Sequence, residues 1–398
     1  SSYFFIIIAA GHIWKVVALA YLPPMIAGVV LAYRGKYVWG FVVTALFTAL
    51  EIQANHVQMT YYYMFIVFFM VLAYLWQAVR DKKLAQFAKA TGVCLVAAVL
   101  GVVVNLSNLY HTWQYTQESM RGKSELVKKN SANQTNSGLD RDYITQWSYG
   151  IDETWTLLVP NTKGGASVPL ASNEKAMEKA DPQFYQVYQQ MGQYWGNQPG
   201  TSGPVYVGAF VFMLFILGLF IVKGPIKWAL FAATVLSVLL SWGRNFMWFT
   251  DLFLDYMPMY AKFRTVASIL VIAEFTIHLL AMLALKELLQ NPKSLDEKVT
   301  VRERVINFIF FTPLGAVATK RRDYLWISFA LSAGCAFLFA IMPSVFFPDF
   351  ISLSEMEALK QIPSEYLGPL IANLREIRIS IFTADCWRSF FIIVLGTV

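Results

Sequence analysis

Charged residues are scarce in this chain, at 14% of its 398 residues. A soluble globular domain is about a quarter charged, so this shortage excludes an ordinary soluble domain. Hydrophobic residue types make up 57% of the chain, and the mean hydropathy is +0.49. This composition predicts an all-α polytopic membrane protein.

Cysteine is also scarce. Cys94, Cys335 and Cys386 stand singly, with neither metal-ligand spacing nor a disulfide framework, which predicts small packing residues. The chain lacks a Walker A string and a glycine fingerprint in a strand–helix setting, which argues against nucleotide chemistry. We expect no nucleic-acid partner. The sequence does not identify a cofactor, and it leaves open whether the protein binds a divalent metal. The net charge of +7 suits an anionic lipid membrane or an anionic substrate.

Long apolar runs are abundant, and a membrane-spanning helix needs about 20 mostly apolar residues. Residues 1–10 resemble the outer end of a preceding helix, so we expect the natural chain to begin earlier. The predicted spans are 13–33, 37–54, 58–79, 87–107, 204–222, 227–243, 262–285, 323–345 and 386–398.

Basic residues in alternate connections predict the orientation. Short Lys- and Arg-bearing stretches at 34–36, 80–89 and 223–227, and the longer one at 286–322, are assigned to the cytoplasm. The protein is therefore predicted in the bacterial cytoplasmic membrane, with 108–203 outside.

Five segments follow from this orientation. Two of them are long connections, one outside and one basic and cytoplasmic. The middle of the outer one, 123–138, reads as mobile and polar. We expect the basic linker to lie on anionic headgroups, and we favour this interpretation over a catalytic role. The segments are 1–107 (helical bundle), 108–203 (outer-face insertion), 204–285 (helices), 286–322 (basic linker) and 323–398 (C-terminal helices with an outer loop at 346–385).

Polar residues gather at the outer ends of the spans. His12 and Lys15 follow Gly11 at a helix start, where N–H groups and basic side chains suit a phosphate. Interfacial snorkelling of Lys15 is the alternative. Glu51 ends an apolar run and leads into Asn55, His56 and Gln58, of which Asn55 and Gln58 are predicted to line an acceptor pocket. An intramembrane carboxylate usually faces the bundle interior or a wet cavity, although a structural hydrogen bond between helices is also open.

Further candidates lie at other outer ends. Asn105 and His111 either extend the same pocket or cap a helix. Arg244, Lys262 and Arg264 either clamp an anion or pair with Asp251 and Asp255. Aromatic rings beside amides suit a sugar acceptor, although Tyr and Trp also belong at a membrane surface. The acceptor candidates of this kind are Gln146, Trp147, Tyr149 and Trp195.

Several strings resemble the YfhO family of bacterial membrane proteins, in a form like those of the Bacteroidetes. The most specific is Glu-Ile-x-Ala-Asn-His-x-Gln at 51–58, within the run Ala49–Tyr62. The others are Ser2-Tyr3-Phe4 with Gly11-His12 and Lys15, Gln146-Trp147-Ser148-Tyr149-Gly150, Gly203-Pro204-Val205-Tyr206-Val207-Gly208 and Trp242-Gly243-Arg244-Asn245.

This resemblance implies a GT-C-type glycosyltransferase bundle that moves a sugar from a polyprenyl-phosphate donor to a cell-envelope polymer or glycan. It also implies that the family's N-terminal segment, where such enzymes carry an acidic catalytic residue, is missing here. Glu51 is then the best acid present, and Lys15, Arg244, Lys262 and Arg264, with His12 and His56, are the donor-phosphate candidates. A flippase for lipid-linked sugar and a non-catalytic assembly partner are the alternatives.

Overall fold

The computed structural model describes residues 2–122, 133–135, 138–310 and 313–397, without the side chains of residues 308 and 310. Over these residues the chain is helical, and its β-structure consists of two isolated bridges. Six helices in the described part are long and apolar enough to cross a membrane, or seven if a bent pair forms one span. The mobile middle predicted at 123–138 falls largely outside the described residues.

The α-helices are numbered in chain order. They are α1 Tyr3–Ala9, α2 Ile13–Tyr33, α3 Tyr37–Gln53, α4 Val57–Arg80, α5 Leu84–Val103, α6 Leu106–Gln117, α7 Arg141–Ile144, α8 Glu174–Met177, α9 Tyr185–Gln190, α10 Ala209–Ile221, α11 Ile226–Ser241, α12 Met247–Tyr256, α13 Val271–Gln290, α14 Val301–Phe310, α15 Arg321–Phe329, α16 Cys335–Ile341, α17 Pro343–Phe346, α18 Leu353–Leu359 and α19 Ser364–Thr397.

The first three predicted spans match α2, α3 and α4 to within a residue at each end. Small residues let α2 and α3 approach closely. A Cβ on Gly28 would lie 2.6 Å from the Thr44 amide nitrogen, and one on Gly40 would lie 2.7 Å from that of Ala32. Such contacts bring helix backbones together in a membrane, where van der Waals packing replaces the hydrophobic effect.

The structure adds detail to three later predictions. The span predicted at 204–222 contains only the 13-residue α10. The span at 227–243 is α11, which is followed by a bend of 107° into the helical stretch Gly243–Tyr256. The last apolar run, predicted from 386, belongs to a longer helix, because α19 starts at Ser364, inside the region predicted as an outer loop. Arg375, Glu376 and Arg378 lower the hydropathy there and concealed the helix.

The described chain divides into two compact units that do not follow the five predicted segments. Unit 1 consists of Ser1–Ile6, Tyr149–Lys223 and Glu274–Val398. Its buried core includes Tyr188, Leu370, Leu374 and Ile377, so part of the insertion packs on α19. Unit 2 consists of Ile7–Ser148 and Gly224–Ala273. Unit 2 holds most of the predicted polar site.

Candidate functional site

Two helix N-termini carry histidines in unit 2. His12 is the residue before α2, and His56 is the residue before α4; neither side chain caps its own helix. The first N–H groups of a helix lack partners inside it and carry partial positive charge. Lys15, in the first turn of α2, donates a hydrogen bond from Nζ to Ser268 Oγ at 3.0 Å.

Electrostatic coupling shows that these basic groups share one region. Burial, followed by the positive charges of Lys15 and His12, lowers the pKa of His56 to about 4. Burial also lowers the pKa of His12, followed by the charges of Lys15 and Arg264. Both imidazoles are therefore neutral at pH 7. We call His12, Lys15, His56 and Arg264 the basic cluster.

Arg264 is positioned by its neighbours. Gln58 donates from Nε2 to the Arg264 carbonyl at 2.8 Å and to the Tyr62 hydroxyl at 2.9 Å. The guanidinium donates to the Tyr143 hydroxyl at 2.7 Å and lies 5.6 Å from the centre of that ring. Gln58, which was predicted for the acceptor pocket, holds the backbone of Arg264 through its side-chain amide.

Glu51 occupies the last turn of α3 and is 3% exposed. Its Oε1 has no hydrogen-bond partner among the described residues, and the Thr60 hydroxyl is its polar neighbour. A buried acceptor without a partner costs about 1–3 kcal/mol, so such groups are rare unless something else uses them. Asn55 lies between Glu51 and α4 at φ 54°, a left-handed turn position that Asn tolerates.

A polar cleft of 1030 Å³ lies beside Arg264. Tyr143, which accepts the hydrogen bond from Arg264, is one of its walls. Two backbone hydrogen bonds join the insertion to the segment after α12 and form the wall of this cleft. Thr265 N donates to the Ile144 carbonyl, and Ala267 N donates to the Trp147 carbonyl, both at 3.1 Å. The lining residues are Asn133, Asp140, Arg141, Asp142, Tyr143, Thr145, Gln146, Arg244, Met247, Asp251 and Asp255.

Two of the predicted site residues line the cleft. They are Gln146, an acceptor candidate, and Arg244, a phosphate candidate. Arg141, which the sequence did not single out, forms ion pairs with Asp251 and with Asp255, the latter at 2.5 Å. Lys262 is used structurally, because its Nζ donates to the Arg121 carbonyl at 2.8 Å.

Other predicted site residues have structural roles. Asn105 does not cap α6; its amide donates to the carbonyls of Ala49 at 2.9 Å and Gly101 at 3.0 Å, which joins α5 to α3. His111 is exposed on α6 and packs edge-on against Tyr110. Trp147 contributes its backbone to the cleft wall.

Tyr149 and Trp195 were predicted to present rings to a sugar, and this prediction is wrong. Both belong to unit 1 and are buried, at 2% and 3% exposure. The Tyr149 hydroxyl bonds to Thr156 Oγ1 at 2.5 Å, and the Arg378 guanidinium lies 5.2 Å from the centre of the Trp195 ring. Composition alone does not distinguish interfacial aromatic rings from buried ones.

A buried carboxylate in unit 1 was missed. Glu153 is 2% exposed, and it accepts bonds from Gly150 N at 3.1 Å, the Tyr194 hydroxyl at 2.8 Å and Gln198 Nε2 at 3.1 Å. Burial raises its pKa, and these three donors and Lys163 oppose the rise. No sequence signal separated Glu153 from the other acids of the polar insertion.

Two pairs of the strings singled out in the sequence pack against each other, one pair in each unit. In unit 2 the Ser148 hydroxyl accepts a bond from Arg244 N at 2.9 Å and lies against Gly243. A Cβ on Gly243 would lie 2.6 Å from Val266 Cγ2, and its φ is 46°. In unit 1, Ser2 donates to the carbonyls of Pro204 and Tyr206.

Comparison of this chain with family models, with curated proteins and with solved structures finds no match. Among the described residues no group of three His, Cys, Asp or Glu side chains could hold a metal ion. The functional argument therefore depends on the arrangement of residues in unit 2.

Proposed function

We propose that this protein is a membrane glycosyltransferase of the GT-C type, related to the YfhO family, that uses a polyprenyl-phosphate sugar donor at the outer face of the bacterial cytoplasmic membrane. The observation that carries the proposal is the basic cluster at the N-termini of α2 and α4. Lys15 and Arg264 supply fixed positive charge there, and the two helix ends add N–H donors.

The donor's phosphate would lie at the basic cluster and its sugar in the cleft. The lipid tail would run along the apolar surface of the spans, since residues such as Ile13 and Trp14 are exposed beside His12. Arg264 connects the two regions, because its guanidinium contacts Tyr143 in the cleft wall. A cleft of 1030 Å³ has room for a sugar and for part of an acceptor glycan.

Transfer needs one bond to form and one to break. The acceptor hydroxyl oxygen attacks the anomeric carbon, and the bond from that carbon to the phosphate oxygen breaks. Its electron pair leaves with the polyprenyl phosphate, whose negative charge the basic cluster stabilises. The hydroxyl proton passes to a carboxylate, for which Glu51, with an oxygen that lacks a partner, is the candidate.

A transfer assay tests this proposal. The full-length protein is given radiolabelled polyprenyl-phosphate hexoses and envelope extract, with a Lys15→Ala/Arg264→Ala variant alongside. We expect label to move to polymer with the wild type and transfer by the variant to fall at least about a thousandfold, because two charged contacts to the leaving phosphate are lost.

The matched control is Arg80→Ala/Lys83→Ala, which removes the same residue types from exposed positions at the opposite end of α4 from His56. Its transfer rate should equal that of the wild type. Full activity of the Lys15→Ala/Arg264→Ala variant would contradict the phosphate site. Saturable donor binding without transfer by the wild type would instead favour a flippase or an assembly partner.

A further inference from the structure

The connection between α13 and α15 forms a folded element of unit 1. Two chain segments meet there through a bridge between Lys298 and Lys320. Val299 N donates to the Thr319 carbonyl at 2.9 Å, and Arg321 N donates to the Glu297 carbonyl at 3.0 Å. Both flanking stretches, Val266–Gln290 and Arg321–Ile341, have the length and composition of membrane spans. If both cross the bilayer, the element between them lies at a membrane surface.

One face of α14 in this element is apolar and exposed. Val301, Val305 and Ile309 are 77%, 50% and 63% exposed. Their spacing of four places them in one row within about 80° of the helix surface, at about 100° per residue. The opposite face is buried, because Asn307 is 2% exposed and donates to the Tyr324 hydroxyl at 2.7 Å.

Two of the three acids of the element are paired with a buried arginine, and the third, Asp296, is exposed. Arg321 is 6% exposed and forms ion pairs with Glu297 at 3.1 Å and with Glu303 at 2.7 Å. On the helix surface, Arg302 and Arg304 lie on opposite borders of the apolar row, at about 100° per residue. The exposed basic residues of the element and of the first turn of α15 are Lys293, Lys298, Arg302, Lys320 and Arg322.

We infer that this face of α14 binds the surface of an anionic phospholipid bilayer. Val301, Val305 and Ile309 would enter the boundary between headgroups and acyl chains, to a depth of about 5–10 Å. The exposed Lys and Arg side chains would contact lipid phosphates, since each basic residue near an anionic surface strengthens binding about fivefold. Charge complementarity and the position between two spans favour lipid over a protein partner.

Site-specific fluorescence on the full chain tests the inference. An environment-sensitive dye is attached at Val305→Cys in a background with Cys94, Cys335 and Cys386 replaced by Ala, and the protein is reconstituted in nanodiscs. In discs of phosphatidylcholine mixed with phosphatidylglycerol, we expect a blue-shifted dye that lipid-borne nitroxide quenches and aqueous iodide does not.

Replacing Lys298, Arg302, Lys320 and Arg322 by Gln should raise iodide quenching at least about fivefold, the contribution of a single basic residue. These side chains are exposed, so the variant should elute and melt like the parent. A dye at Asn291→Cys, exposed outside α14, is the control that should stay in water. Equal iodide access at position 305 in neutral and anionic discs, or protection only after adding a protein, would overturn the inference.

Discussion

Two buried glutamates, one in each unit, differ in how their oxygens are satisfied. Glu153 in unit 1 is 2% exposed and accepts three hydrogen bonds at 2.8–3.1 Å. Glu51 in unit 2 is 3% exposed, and its Oε1 has no partner among the described residues. Burial alone therefore does not indicate what a carboxylate does.

The difference lies in the neighbours. The donors around Glu153 come from residues within the insertion, and they fix Gly150, Tyr194 and Gln198 around one group. This arrangement is typical of a structural centre. Glu51 is followed within a few residues by the neutral imidazole of His56, which is itself part of the basic cluster. A buried carboxylate oxygen that lacks a hydrogen-bond partner near titratable groups is typical of a reactive or binding site.

The strongest test of this comparison is Glu51→Gln. The amide keeps the shape of the side chain but does not accept the acceptor's proton. We expect transfer to fall by about 10²–10⁴-fold, the usual contribution of a general base. The free energy of unfolding should change by less than about 1 kcal/mol, because no complete hydrogen-bond network is broken. Steady-state transfer and denaturation in detergent measure the two quantities.

Glu51→Asp separates chemistry from shape in this test. It keeps a carboxylate but shortens the reach, so it should retain more activity than Glu51→Gln. If Glu51→Gln transfers at the wild-type rate, Glu51 is a hydrogen-bonding group between helices and the base lies elsewhere.

The matching change in unit 1 is Glu153→Gln, with the opposite result expected. An amide keeps only one acceptor oxygen, so at least one of the donors Gly150 N, Tyr194 and Gln198 loses its bond. Leaving a buried donor unpaired costs about 1–3 kcal/mol, and the free energy of unfolding should fall by that amount. Transfer at saturating substrate, measured below the unfolding transition, should stay near the wild-type rate.

The pH dependence of this loss has a definite sign. Burial raises the pKa of folded Glu153 above 4.5. The folded state therefore binds the proton more tightly than the unfolded state, and the stabilisation it provides is lost as pH rises through the folded pKa. The deficit of Glu153→Gln relative to the wild type should shrink as pH rises from about 4.5 towards neutrality. A deficit that grows over this range would contradict the assigned shift.

The spans of unit 2 were predictable because their signal is local. The apolar runs of α2, α3 and α4 end at short turns, such as those with positive φ at Gly35 and Asn55. The start of α19 was not predictable by hydropathy. Its buried Arg378 donates from its two Nη atoms to Glu355 and to the carbonyls of Phe350 and Gly192, which are distant in sequence.

The residues at helix starts were the most predictable part of the candidate site. His12, Lys15 and His56 follow from their positions at two helix starts. The cleft did not follow, because its wall depends on backbone bonds between 144–147 and 265–267. Arg141 and Tyr143 gain their roles from that pairing, which leaves no periodic pattern in the sequence.

The smallest expected effect is a pH-dependent change in phosphate affinity that depends on His56 in the basic cluster. Its pKa of about 4 in the free protein leaves the imidazole neutral at pH 7. A phosphate bound nearby raises this pKa by about 1–3 units, so binding takes up a proton and strengthens as pH falls through the pKa of the bound state. Between pH 7.5 and 5.5 the affinity for polyprenyl phosphate, relative to that of a His56→Gln variant, should rise about fourfold for a bound pKa near 6. Because the titration of the phosphate itself affects both proteins equally, it cancels in this ratio of affinities. A ratio that stays constant with pH would place the phosphate away from His56 and leave Lys15 and Arg264 as its only charged contacts in the cluster.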